Sequence, residues 1–457
     1  MPRRVALLVS IATMASAGSI SAGASDAAGT RSAAGAGATD AIHAVGVVTE
    51  TFIDKSRPTA ANGDCPKISS RTLPTTIFYP ATGDVSSDAP QPGAVPDTSG
   101  GPYPFIAFAH GFGADPQLNA VLLRHWAANG FVVAAPQFPL SSRESPCGSV
   151  AGDSVNQPED VSFVISSVLK ESARSTGTLA GLIDRHKVGA AGHSNGGITM
   201  YGLIANTALR DPRVKAAAVL AGTPQRFPKG RYDFAKAPPI LIVHGDADEL
   251  IPYELGVGAF NRARGPKGLL TIAGGDHGSA AAVSSPAAVP EVFEATTDFF
   301  NAYLRGDAAA KSRLPDDQLP GVTTMKFVAE PGSTTTIPTL PTPKLRLKAT
   351  ATPTKHLTDG QLVSVTWSGY SAGKVINILE CNGGDRDLTN GAACDYTHAY
   401  LLKPDPTGAG STKLPIVVGQ VGDGVCDAKH PGCFIIVNNA SSSDPKMSVM
   451  IDISFAR

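Results

Sequence analysis

At 457 residues the chain is too long for one ordinary domain, so two domains plus tails is the starting expectation. Apolar residues make up 42% and charged residues 17%, which allows a sizeable core. With 38 Lys and Arg against 39 Asp and Glu, the chain lacks the basic footprint of a nucleic-acid or anionic-membrane binder, and a small substrate of neutral or mixed polarity fits better.

The first 24 residues, MPRRVALLVSIATMASAGSISAGA, set Arg3 and Arg4 before an apolar stretch and close on small residues at Ala22, Gly23 and Ala24. That is the layout of a secretory signal peptide, and it predicts a mature chain beginning near Ser25. The paired arginines raise twin-arginine export, but the flanking residues match that signal poorly. The apolar part, residues 5–17, is too short to span a bilayer, and no later segment is long enough. Residues 25–42 are Ala, Gly and Ser with almost nothing to bury and read as a disordered leader.

From residue 43 to 329 strand-like and helix-like stretches alternate, which predicts an α/β fold with a mostly parallel sheet covered by helices. TTIFYP (75–80) and PFIAFAHG (104–111) read as strands. LNAVLLRHWAANG (118–130) reads as a helix with Leu118, Val121, Leu122, His125 and Trp126 on one face and Gly130 at its end. FVVAAPQFP (131–139) is a buried strand, and PEDVSFVISSVLKES (158–172) opens with proline and two acids, a favourable helix start. VGAAGHS (188–194), AAAVLAG (216–222), PILIVHGDAD (239–248) and GLLTIAGG (268–275) add strands, and EVFEATTDFFNAYLRG (291–306) a closing amphipathic helix.

Residues 330–344 are dominated by proline and threonine and predict an extended linker. Beyond it the period changes to two: in LVSVTWSGY (362–370) Val363, Val365 and Trp367 share a face between turn residues. Residues 345–457 therefore read as a separate all-β sandwich.

The chemistry concentrates in the middle of the chain. Gly192-His193-Ser194-Asn195-Gly196 matches the G-x-S-x-G nucleophile elbow, a strained strand-to-helix turn that exposes the serine hydroxyl. With 48 glycines the bare pattern is weak, but an apolar strand precedes it and the helix-like ITMYGLIANTAL follows. A serine needs a base in hydrogen-bond reach, itself held by a carboxylate, in the chain order Ser, acid, His. HGDADELIP offers Asp246, Asp248 and Glu249 just past a strand end; Asp248 is the favoured acid and Asp246 a brace. Of ten histidines only His277, in the glycine-flanked GGDHG beside Asp276, has the right order. His193 lies within the elbow and points elsewhere, while His110 and His244 end strands and read as loop braces. The oxyanion donors expected are the N–H of Asn195, next after the nucleophile, and that of Phe112 in the loop FAHGFGAD.

HGFGA, GHSNGG, HGDADELIP and GGDHG in this order resemble an α/β-hydrolase of the group that includes platelet-activating-factor acetylhydrolases, chlorophyllases, dienelactone hydrolases and cutinase-like polyester hydrolases. The resemblance covers about residues 45–305 and implies Ser194 as nucleophile, Asp248 as acid, His277 as base and Phe112 with Asn195 as oxyanion donors. The dienelactone branch uses cysteine where this chain has serine and is set aside. The resemblance implies carboxylic esters, whether soluble, lipid or polymeric.

LTDGQLVSVTWSGYSAGKVINILEC, GVCDAKHPGCFIIVNN and SVMIDISFAR are similar to the neocarzinostatin family, an immunoglobulin-like sandwich with two short-range disulfides. The resemblance covers about 345–457 and rests on Leu357, Asp359, Gly360, Gly369, Ala372, Gly373 and four cysteines. It implies a rigid framework serving as spacer, surface contact or ligand binder. The six cysteines divide by position into Cys65 with Cys147, Cys381 with Cys394, and Cys426 with Cys433, and their intervals suit disulfides rather than zinc. Cys147 lies in the segment SSRESPCGSVAGDSVNQ (141–157), a candidate substrate-selecting rim.

The expectation is a secreted serine esterase that needs no metal or organic cofactor. Two rivals stand beside it: a small-molecule binding protein working through the sandwich, and an acyltransferase or thioesterase sharing the acyl-enzyme.

Overall fold

The computed structural model describes residues 43–85, 90–330, 347–370, 376–383, 393–395, 400–402, 404–422, 424–439 and 448–456. The signal peptide, the leader and all of the linker but its first residue lie outside them.

Ten strands form the first sheet: β1 (Ala44–Asp54), β2 (Arg71–Ala81), the short β3 (Gln91–Pro92), β4 (Tyr103–Ala109), β5 (Val132–Pro136), β6 (Ile183–His193), β7 (Val214–Leu220), β8 (Ile240–Gly245), β9 (Lys267–Ile272) and β10 (Thr323–Val328). Their spatial order is β10-β9-β8-β7-β6-β4-β5-β2-β1-β3. The six strands β4 to β9 run parallel to their neighbours among themselves, while β2 pairs antiparallel with β5 and β10 with β9. Parallel strands covered on both faces must be apolar on both, and β4, YPFIAFA, is buried at every residue.

Helices α1 (Ala120–Ala128), α2 (Gln157–Ser172), α3 (Asn195–Ala205), α4 (Tyr253–Arg262), α5 (Val289–Phe300) and the short α6 (Ala308–Arg313) cover the sheet. Side-chain alternation sends Phe105 and Ala107 of β4 towards Val161, Val164, Met200 and Phe260 of α2, α3 and α4. Ile106 and Phe108 face Leu122, Trp126, Phe299 and Phe300 of α1 and α5. Trp126 also donates its indole N–H to Thr296 Oγ1 at 3.0 Å, so the largest buried side chain leaves no polar atom unpaired.

One expected face is corrected. Leu118 and Val121 are 40% and 57% exposed, and the core side of α1 is instead Leu122, Leu123, Trp126 and Ala127. Residues Pro116–Asn119 form a tighter 3₁₀ turn, which shifts the helical phase relative to an α-helix begun at residue 118.

The C-terminal strands are β11 (Lys348–Thr352), β12 (Leu362–Ser368), β13 (Ile376–Cys381), β14 (Tyr400–Leu402), β15 (Gly410–Pro415), β16 (Gly419–Val421), β17 (Gly424–Cys426), β18 (Phe434–Asn439) and β19 (Ser448–Asp452). They make sheets β11-β12-β15 and β14-β13-β18-β19 and the hairpin β16-β17. Val363, Val365 and Trp367 of β12 meet Ile376, Ile378, Ile435 and Val437 of the other sheet, the period-two core of a sandwich. Disulfides join Cys381 to Cys394 and Cys426 to Cys433 here, and Cys65 to Cys147 in the α/β domain.

Candidate active site

β6 ends at His193 and α3 starts at Asn195, leaving Ser194 alone between them at φ 57°, ψ −118°. A non-glycine residue there is strained, and close backbone packing holds it. A Cβ on Gly192 would come within 2.3 Å of the Gly196 carbonyl oxygen, and one on Gly196 within 1.9 Å of the Ala109 carbonyl oxygen. Only glycine fits at either place, which is why the pattern brackets the serine with glycines. The Ser194 N–H donates to Leu220 O at 2.9 Å, anchoring the turn to the end of β7.

Asp248 follows β8 and is fully buried. Its Oδ1 accepts the N–H groups of Leu250 and Ile251, both at 2.8 Å, and its Oδ2 lies 2.7 Å from His277 Nδ1. Burial alone would raise this carboxyl, but hydrogen bonds from His244 and His277, the charge of His277 and the Ile251 N–H outweigh it and hold the group well below the usual carboxylate range. An ionised carboxylate only accepts, so Nδ1 of His277 carries the hydrogen and Nε2 is left to take a proton.

The other acids of the two loops do different work. Asp246 Oδ1 accepts the Gly274 N–H at 2.7 Å, tying the acid loop to the loop that bears His277. Asp276 accepts from the N–H groups of Gly278 and Ser279 and from the hydroxyls of Ser279 and Ser284, so it shapes the backbone just after His277. Glu249 is exposed.

The loop after β4 lies against the serine: a Cβ on Gly111 would sit 3.2 Å from Ser194 Cβ. Gly113, at φ 64°, turns the chain and donates its N–H to Ser141 O at 2.8 Å. The Phe112 N–H has no acceptor among the described residues, and the Phe112 ring is 47% exposed. His110 braces this loop: its Nε2 accepts the Phe138 N–H at 3.3 Å, so Nδ1 donates to Gly111 O at 2.7 Å. Burial pushes His110 down to about 4, which keeps that arrangement neutral. Asn195 is the first residue of α3, where backbone N–H groups have no partner within the helix and the helix dipole is positive.

Three features were not anticipated from the sequence. Gln157, fully buried at the start of α2, donates to Ser141 Oγ at 2.6 Å and accepts from Thr199 Oγ1 and, at 3.5 Å, from Asn195 Nδ2. Arg71 is enclosed with both carboxylate oxygens of Asp153 and of Asp160 at 2.7–3.0 Å. His193 turns towards His277 rather than away, its ring centroid 5.0 Å from that of His277. None had a local signal, because the partners lie 16 to 89 residues apart.

The sheet and its covering helices are those of an α/β hydrolase, and the family match supports a carboxylic-ester hydrolase. Residues 81–244 match the Chlorophyllase family model, and residues 349–453 match that of the Neocarzinostatin family. The chain thus carries a chlorophyllase-type α/β-hydrolase domain and a neocarzinostatin-type β domain. A solved structure, a ferulic acid esterase from Streptomyces cinnamoneus, is similar over 65% of this chain and 98% of that chain, at 21% identity and a TM-score of 0.45. No protein with a curated description matches the chain.

Proposed function

We propose that the protein is a secreted serine esterase in which Ser194, His277 and Asp248 form the catalytic triad. The reading rests above all on the 2.7 Å pair of His277 Nδ1 and buried Asp248, on loops flanking the strained Ser194 elbow. Ser194 Oγ attacks the ester carbonyl while His277 Nε2 takes its proton. The N–H groups of Asn195 and Phe112 receive the oxyanion; His277 then protonates the departing alcohol, leaving an acyl-serine. Water activated by the same imidazole releases the acid and restores the serine.

Secretion is supported by the N-terminal pattern and by three disulfides, which persist in an oxidising compartment. No helix among the described residues is long and apolar enough to cross a membrane. In this reading the catalytic domain spans 43–329, and the sandwich, 345–457, is a spacer or contact module on a proline- and threonine-rich linker.

The test is hydrolysis of p-nitrophenyl esters from acetate to palmitate by the mature protein and by Ser194→Ala. The expected loss in kcat is at least about 10⁴-fold, because nucleophile and base act as a unit. Retained turnover in Ser194→Ala removes the triad assignment, whereas water-to-alcohol competition for the acyl group separates a hydrolase from an acyltransferase.

A further inference from the structure

Two histidines outside the proposed chemistry press against it. His193 ends β6 one residue before the serine, and His244 lies in β8 four residues before Asp248. Both are buried, and in both Nδ1 is enclosed without a partner. A Cβ on Gly256 of α4 would stand 2.5 Å from His244 Nδ1, so bare backbone fills the space where an acceptor would sit.

Each Nε2, by contrast, is engaged. His193 Nε2 is 3.0 Å from the backbone carbonyl oxygen of His277. His244 Nε2 is 2.8 Å from the Ile251 carbonyl oxygen and 3.3 Å from Asp248 Oδ2. Carbonyl and carboxylate oxygens only accept, so in both rings the hydrogen resides on Nε2. For His193 burial, with the neighbouring His277, pushes the ring down to about 4, and it stays a neutral donor across the neutral pH range.

The consequences differ for the two. Ile251 gives its N–H to Asp248 Oδ1 and takes the His244 N–H on its carbonyl, while the same N–H reaches Asp248 Oδ2. That closed ring fixes the plane of the carboxylate with Oδ2 turned to His277. His277 itself stands in a stretch flanked by Gly274, Gly275 and Gly278, where Asp246 and Asp276 hold N–H groups on either side but no other donor among the described residues holds the His277 carbonyl. The His193 N–H grips that backbone from the residue joined to Ser194, which ties the elbow directly to the loop that bears the base.

We propose that His193 and His244 are positioning residues, His193 strapping the base to the nucleophile elbow and His244 locking the plane of the acid. The proposal rests on the triad reading above. A displacement of about 1 Å in such a constellation costs on the order of 10²-fold in rate.

The experiment compares His193→Leu, His193→Gln, His244→Leu and His244→Gln with the full-length parent and Ser194→Ala, measuring kcat and KM on p-nitrophenyl butyrate and circular dichroism. Leucine fills the space without a donor, whereas glutamine carries an amide N–H near the position of Nε2. The Leu variants are expected to lose roughly 30- to 300-fold in kcat with KM within about 3-fold, and the Gln variants to recover to within about 5-fold of the parent. In an Asp248→Asn background, His244→Leu should add little further loss, because its task is gone, while His193→Leu still subtracts. Full kcat in the Leu variants beside an inactive Ser194→Ala overturns the proposal alone, as does an undiminished His244→Leu effect in the Asp248→Asn background. Turnover retained by Ser194→Ala overturns the triad reading and the proposal with it. If a Leu variant fails to fold, Asn, whose amide stops at the Nδ1 position, takes its place and is expected to show the same loss.

Discussion

Two aspartates two positions apart, Asp246 and Asp248, end up in opposite situations. Asp248 has four donors converging on its two oxygens and no exposure, whereas Asp246 is exposed and accepts one N–H from Gly274. Asp248→Asn would place an amide where His277 needs an acceptor, turning the imidazole to the wrong tautomer. The expected loss in kcat is about 10³- to 10⁴-fold with the fold intact, as for other triads. Asp246→Asn keeps an oxygen for the Gly274 N–H and should cost less than about 5-fold. Steady-state kinetics on the two variants decides between them, and an inverted order would move the acid to Asp246. The choice of Asp248 over its neighbours rests on the resemblance of HGDADELIP to the acid segment of such hydrolases and that of His277 on chain order, and the structure brings the two side chains to 2.7 Å. His244 reads as a loop brace in the sequence and does hold the Ile251 carbonyl, whereas the partners of His193 and Gln157 were hidden, because a buried side chain's partner is set by which loops the sheet order brings together.

At the level of elements, the segment that links β5 to α2 is tied down by covalent, polar and ionic contacts. Cys65–Cys147 ties it to the loop after β1, and Asn62 Nδ2 donates to the carbonyls of Pro146, Cys147 and Gly148. At its far end Arg71 of β2 binds Asp153 and Asp160, and Arg57 joins Asp54 to Asp160 at 2.6–2.8 Å. Desolvation is the largest influence on Asp153 and raises it even beside Arg71, the mark of a charge that depends on its partner. Arg71→Met would leave Asp153 buried without its cation and Asp160 with Arg57 alone, and should destabilise by about 3–5 kcal/mol. Urea denaturation checks this, and Arg71→Met/Asp153→Asn/Asp160→Asn should regain most of the loss. A midpoint unchanged in the single variant would mean that water already reaches the cluster.

Period and punctuation made most of the core elements legible: β2, β4 to β9, α1, α2, α3 and α5 fall where alternation, helical spacing and capping residues put them. β1 was not legible, because VGVVTETFID alternates only in part, with Thr49, Glu50 and Thr51 exposed where the ribbon leaves the core. α4 was missed because YELGVGAFNR carries two glycines, which lower helix propensity by about 1 kcal/mol each. Burial of Val257 and Phe260 against the sheet offsets that cost, a tertiary effect that a local reading does not contain.

On the scale of the whole molecule, each of the two folds holds, among the described residues, one carboxyl that burial, above all, raises to about 7. In the α/β domain it is Asp317, facing Asp298, Glu294, Glu291 and Arg313. In the sandwich it is Glu380, facing Asp395 and Asp359 and accepting the Val417 N–H. Unfolded, these groups ionise near 4, so between about pH 4 and 7 the folded chain keeps protons that the unfolded chain has released. Unfolding in that window releases protons, stability falls as pH rises through it, and the full penalty is present above about pH 7. Asp317→Asn and Glu380→Gln keep shape and remove the ionisation. Each should stabilise its own domain by roughly 1–3 kcal/mol at pH 8 and by almost nothing at pH 4. Calorimetry of the full chain can tell the two apart if the domains unfold as separate units. Asp317→Asn should then raise only the transition that an active-site phosphonate also raises, and Glu380→Gln only the other. A single transition shifted equally by both variants would mean that hydrolase and sandwich unfold as one body, and the linker would then join parts of a single cooperative structure rather than two.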